Sequence, residues 1–224
     1  MHLTAERPTA GHLADSTEGA IALAKFAAAA LASVSRRVHP AWVESLGKEV
    51  AVVASKGPAL LDELLLSHFD LRWPDLSAVS HGPEYLWLLP VEQVKRFCSA
   101  RALYTWRDAL DRCVVAQMRR QARALVGNVA FEALIARPDP RPHSVALPES
   151  LDGDEVCALG WLHLKAGLPW RDARSRRLVD LMFPPTAVTA PPGAADDHDL
   201  FMADLPAMFP ELSWLFGSNP ATTT

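Results

Sequence analysis

Apolar side chains recur along most of this chain at intervals of three and four residues, the spacing that gathers them on one side of an α-helix. Trp42, Leu46, Val50 and Val53 share one such face, and Val91, Val94, Cys98 and Ala102 share another. Trp106, Leu110, Cys113 and Val114 form a third, and residues 118–126 carry the pattern on. No stretch alternates apolar and polar positions for long enough to build a sheet, and no segment repeats. The pattern predicts an all-α fold, a single irregular multi-helix domain of roughly eight helices. It leaves room only for a minor strand pair at Glu84–Leu88 and Val145–Leu147.

Proline, glycine and acidic caps divide this pattern into elements. Asp15 or Ser16 can cap an alanine-rich helix running to Arg37, with Arg36 and Arg37 at its electronegative end. Pro40 starts a second helix, Gly57-Pro58 breaks it, and a short, strongly apolar helix follows over 59–69. Residues 70–85 read as a connector, and Pro90 suits the first turn of the next helix. Gly127-Asn128 separates two further helices, and 137–150 is a proline-rich connector. Asp152 or Asp154 caps a helix closed by Gly167, and Pro169 opens another that Pro184-Pro185 ends. The organisation that follows is a tail (1–14), a helical domain (15–183), a linker (184–199), an apolar C-terminal segment packed on the domain (200–216) and a second tail (217–224). In that segment Phe201, Leu205, Met208, Phe209, Leu212, Trp214 and Phe216 demand cover, while Pro206 and Pro210 limit the backbone to single helical turns.

Composition narrows the class. Half of the 224 residues are hydrophobic and a fifth are charged, the balance of a chain that buries a core. A net charge of −4 argues against a dedicated nucleic-acid binder. Cys98, Cys113 and Cys157 are odd in number and widely spaced, which reads as buried thiols in a reducing compartment. Ile21–Ser35 resembles a signal peptide in composition, but Asp15 and Glu18 stand where a basic region belongs, and Lys25 interrupts it. No run reaches the ~18 apolar residues of a membrane span. A cytoplasmic protein without membrane insertion is expected.

Candidate chemistry is sparse. Phosphate-loop, His-Glu-x-x-His and Gly-x-Ser-x-Gly patterns are missing from the sequence. His163, on an apolar helix beside Trp161, reads as a core histidine with its hydrogen bonds satisfied. The acidic run Asp196–Asp199 reads as a solvated loop, and Leu151–Glu155 as a helix cap rather than a calcium loop. No catalytic, cofactor-binding or metal-ligating residues are assigned, and no enzyme is expected.

Two features point to binding instead. Between Val91 and Arg137 nine Lys/Arg face four Asp/Glu, with Arg119, Arg120 and Arg123 clustered. That cluster is either a solvated helix face or a docking site for an acidic partner or RNA. Seven tryptophans is a rich complement; Trp73, Trp87, Trp170 and Trp214 lie at or near element ends, and while most of them read as core, Trp87 and Trp214 are the candidates for an interface anchor.

The order of segments carries a resemblance. The corner WLLPVEQVKRF, the stretch DRCVVAQ and then LVGNVAFEALI resemble the SctK (YscK, PscK) family of type III secretion systems. The likeness extends upstream to PALLDELLLSHF and downstream through CALGWLHLKAGLPWRDA to FPELSWLF, covering roughly 38–216. It implies a non-enzymatic adaptor of the cytosolic sorting platform, recruited to the cytosolic face of the inner membrane. Its implied partners are a SctQ-like pod protein and the cytosolic domain of the SctD-like ring protein. The alternative from a different class is a helical nucleic-acid-binding regulator using the basic face around Arg101–Arg123.

Overall fold

In the computed structural model, which describes residues 28, 30, 32–71, 83–136, 145–170, 172–185 and 197–210, helix boundaries follow local backbone chemistry. Pro40 opens α1 (Pro40–Ser45) and Pro58 opens α3 (Pro58–His68), with α2 (Lys48–Lys56) between them. Then come α4 (Val91–Thr105), α5 (Arg107–Asp111), α6 (Ala116–Val126), α7 (Asn128–Ile135), α8 (Gly153–Gly167), α9 (Ala173–Asp180) and α10 (His198–Met208). Val34–Arg36 and Pro83–Leu88 are 3-10 turns. The Asp152 carboxylate accepts the N–H groups of Asp154 and Glu155, both at 3.0 Å, and so caps α8. Asp172 caps α9 in the same way, through Arg174 and Ser175.

The fold is all-α, as the periodicity predicts. The strand pair is not there among the described residues: Glu84–Leu88 lies in a 3-10 turn and Val145–Leu147 is irregular. Tyr85 to Leu89 are all buried, and the 3-10 winding of Pro83–Leu88 leaves no extended backbone to pair in a sheet. The Arg37 guanidinium instead takes up its carbonyls, donating to Trp87 and, at 2.8 Å, to Leu89.

Among the described residues there are ten α-helices, nine of them within the 15–183 domain where about eight are predicted, because two predicted helices are interrupted. Gly47 adopts a φ of 89° between α1 and α2, a left-handed geometry that ends one helix and starts the next. The helix expected through Trp106 stops at Thr105, restarts as α5, and halts again at Arg112. Val114 is 94% exposed and so lies on no apolar face. Of the alanine-rich N-terminal helix, Ala28 and Ala30 are helical and residues 15–27 lie outside the described residues.

The core is built on α4 against α8. Val94, Phe97, Cys98 and Leu103 from α4 are fully buried, facing Val156, Trp161 and Leu164 from α8. Gly160 sets the closeness of this crossing, because a methyl group there would overlap the Cys98 carbonyl oxygen. Trp42 ties α1 to the end of α9 through its indole N–H, which donates to the Phe183 carbonyl at 2.7 Å.

The C-terminal segment lies on α4, α7 and α8 as a helix. Phe201 packs 5.7 Å from the Phe97 ring and 5.4 Å from Tyr104, and Phe209 meets the Phe97 ring edge-on at 6.1 Å. Two expectations are corrected here. Pro206 sits inside α10 rather than dividing it: near the helix end it removes one backbone bond, and buried Leu205 and Met208 hold the turn in place. The acidic run is not a solvated loop throughout, because Asp197 is 3% exposed and pairs with buried Arg107 at 3.7 Å.

Candidate partner-binding surface

The basic segment folds into a corner between α5 and α6. Residues 113–115 cross from one helix to the other, and Val115 is extended where α6 begins. Arg119 braces the corner: its Nη1 donates to the carbonyls of Leu110 at 3.3 Å and Asp111 at 3.0 Å, the open end of α5. Arg123 is bound to Glu132 at 2.5 Å, and both guanidinium groups lie over the Phe131 ring, at 5.6 and 4.7 Å. Two of the three clustered arginines are therefore committed to holding α5, α6 and α7 together. Arg120 is exposed, as are Arg112, Val114 and Val115.

The remaining candidates part company. Trp87 is 1% exposed and belongs to the core, so no partner can reach it on the folded surface. Trp214 lies outside the described residues. The continuous basic face from Arg101 to Arg123 does not form, because Arg101 is fully buried and Arg107 is 2% exposed. Those two arginines turn inward to meet α10: Arg107 pairs with Asp197, and Arg101 lies 5.5 Å from the Phe201 ring centroid. Beside them the Tyr104 hydroxyl donates to Asp204 at 2.6 Å.

His163 sits against this cluster, buried as expected but not satisfied: neither ring nitrogen has a hydrogen-bond partner among the described residues. Burial, reinforced by the Arg101 charge, pushes its pKa down to about 4, so the ring is neutral at pH 7. His198 moves in the same direction, by burial first and Arg101 second, with Asp199 opposing. Burial raises the Cys98 and Cys157 thiols, which keeps them protonated and unreactive. Cys113 is only half-buried, and all three cysteines are free. Among the described residues no three His, Cys, Asp or Glu come together as a metal site.

A second surface went unrecognised in the sequence. α1, α2, α3 and α9 surround a groove of about 720 Å³ whose floor includes Trp42, Leu46, Val50 and Phe69. Arg177 closes one side, 5.3 Å from the Trp42 ring and 5.4 Å from the Phe69 ring. The shared face of Trp42, Leu46 and Val50 was the available signal. What it could not show is that Phe69 and Arg177, from later elements, leave this face half open.

None of the described helices is long and apolar enough to cross a membrane. Residues 13–211 match the family model HrpB4, described as a bacterial type III secretion protein. No curated protein and no solved structure matches the chain.

Proposed function

The chain belongs to the HrpB4 family of bacterial type III secretion proteins, which is SctK-like, and on that premise we propose that it is a non-enzymatic adaptor of the cytosolic sorting platform. In this reading it links the cytosolic domain of a SctD-like inner-membrane ring protein to a SctQ-like pod protein. It resides in the cytoplasm and is recruited to the cytosolic face of the inner membrane through the ring protein.

The observation that carries the reading is the family match, which runs over 13–211 and so takes in every described helix. The surface chemistry supports it. An adaptor needs two separate places to bind, and the chain offers a convex basic and apolar corner at α5–α6 and a concave aromatic groove between α1–α3 and α9. The buried His163 and the Cys98 and Cys157 thiols are held neutral, which suits a structural role.

Co-purification tests the proposal. The tagged full chain is expected to retain both the pod protein and the ring protein's cytosolic domain at micromolar concentration, with no turnover of ATP or GTP. Recovery of neither protein, or nucleotide hydrolysis that follows the purified chain, contradicts it.

A further inference from the structure

The α5–α6 corner combines three properties on one piece of surface. The first is charge: residues 112–131 contain four arginines and no Asp or Glu, and although exposed Asp111 adjoins Arg112 and Glu132 already holds Arg123, Arg112 and Arg120 are left to meet a partner. The second is exposed apolar area. Val114 is 94% exposed and Val115 55%, both β-branched and therefore stiff. From them an exposed stripe of Ala116, Arg120 and Ala124 runs along α6 at four-residue spacing. The alanines are small enough to let another backbone lie close.

The third property is rigidity. Arg119 fastens the corner to the end of α5, and Arg123 fastens α6 to α7. The far end of α6 is held as well, because Arg96 of α4 donates to the Val126 carbonyl at 3.1 Å where Gly127 turns at a φ of 86°. A surface already ordered loses little entropy when a partner docks.

The geometry points to this corner as the docking site for an acidic, amphipathic segment of a partner protein. Its apolar side chains cover Val114, Val115 and the alanine stripe, and its carboxylates meet Arg112 and Arg120. Among the described residues neither of these arginines pairs with a carboxylate. A nucleic acid fits less well. Backbone-tracking proteins neutralise on the order of six to ten phosphates, whereas this corner has two uncommitted guanidinium groups beside two valines that gain nothing from a phosphate. The assignment rests on the adaptor reading for the existence of a protein partner, and adds to it the face used and the chemistry of the segment that binds.

The test compares the full chain with two separate variants, the pair Arg112→Glu/Arg120→Glu and the single Val114→Asp. Val52→Asp, at an exposed apolar position on α2 (56%, against 94% at Val114), is the control. All altered side chains face solvent, so thermal melts should coincide with wild type. Each protein is titrated by calorimetry against the pod protein and, separately, against the ring protein's cytosolic domain. A fluorescent 20-nucleotide RNA and phosphatidylglycerol vesicles serve as further probes. We expect both corner variants to weaken binding to one of the two proteins by about tenfold or more, a loss of the size that interface anchors show, while Val52→Asp leaves it unchanged. Wild-type binding that both corner variants retain overturns this assignment and leaves the adaptor reading standing. Loss of RNA or vesicle binding with protein binding intact also overturns it. A wild-type chain that binds neither protein overturns the adaptor reading, and the assignment falls with it.

Discussion

Buried charge at α10 is costly unless paired, and single residues around it show where that cost is met and where it is not. Arg107 has Asp197, and Asp204 has the Tyr104 hydroxyl, but His163 has no partner among the described residues. Its pKa falls from 6.5 to about 4 on folding, so between those values the unfolded chain holds a proton that the folded chain does not. Stability from this group is therefore complete above pH 6.5 and falls as pH drops towards 4, by up to ~1.4 kcal/mol per pH unit. Substituting His163→Leu removes the titration while keeping most of the volume. Urea unfolding at a series of pH values should give a shallower acid limb for the variant, with stability at pH 7 within ~1.5 kcal/mol of wild type. Equal slopes for the two proteins would show that His163 is not the group responsible.

Between elements, the decisive contact is α10 on α4, α7 and α8. Phe201, Leu205, Met208 and Phe209 are all at most 2% exposed, and the Arg107–Asp197 pair fixes where the helix starts. Ending the chain at Pro192 should lower stability by ~3 kcal/mol or more, since it uncovers Phe97 and Tyr104 and leaves Arg107 without Asp197. Thermal and urea melts check this. A truncated chain that melts like the full one would mean that α10 contributes nothing to the core. The need for cover over 200–216 was legible from the run of large apolar residues. The helix through Pro206 was not, because local rules price the missing N–H without knowing what Leu205 and Met208 gain. The same limit applied to Asp197, whose acidic neighbours suggest solvent while its partner lies in α5, far away in sequence. Where a boundary depends on its own residues, as at Pro58 and Gly127, the sequence was enough, and at the start of α8 it narrowed the cap to Asp152 or Asp154, of which Asp152 serves.

At the level of the whole molecule, periodicity gave the all-α class and colinear segments gave the family, which the match over 13–211 bears out. The surface was harder to read. Arg119, Arg120 and Arg123 are equal in the sequence, yet Arg120 alone of the three is left uncommitted once Phe131, Glu132 and the end of α5 have engaged the other two. The groove beside Trp42 likewise depends on Arg177 arriving from α9. If these two surfaces serve an adaptor, both partners must be held at once. Sedimentation of an equimolar mixture of the full chain, the pod protein and the ring protein's cytosolic domain measures this directly. The account predicts one species containing all three, which disappears when the chain is omitted. A pod protein and ring domain that associate equally well without the chain, or that displace one another from it, would contradict the account.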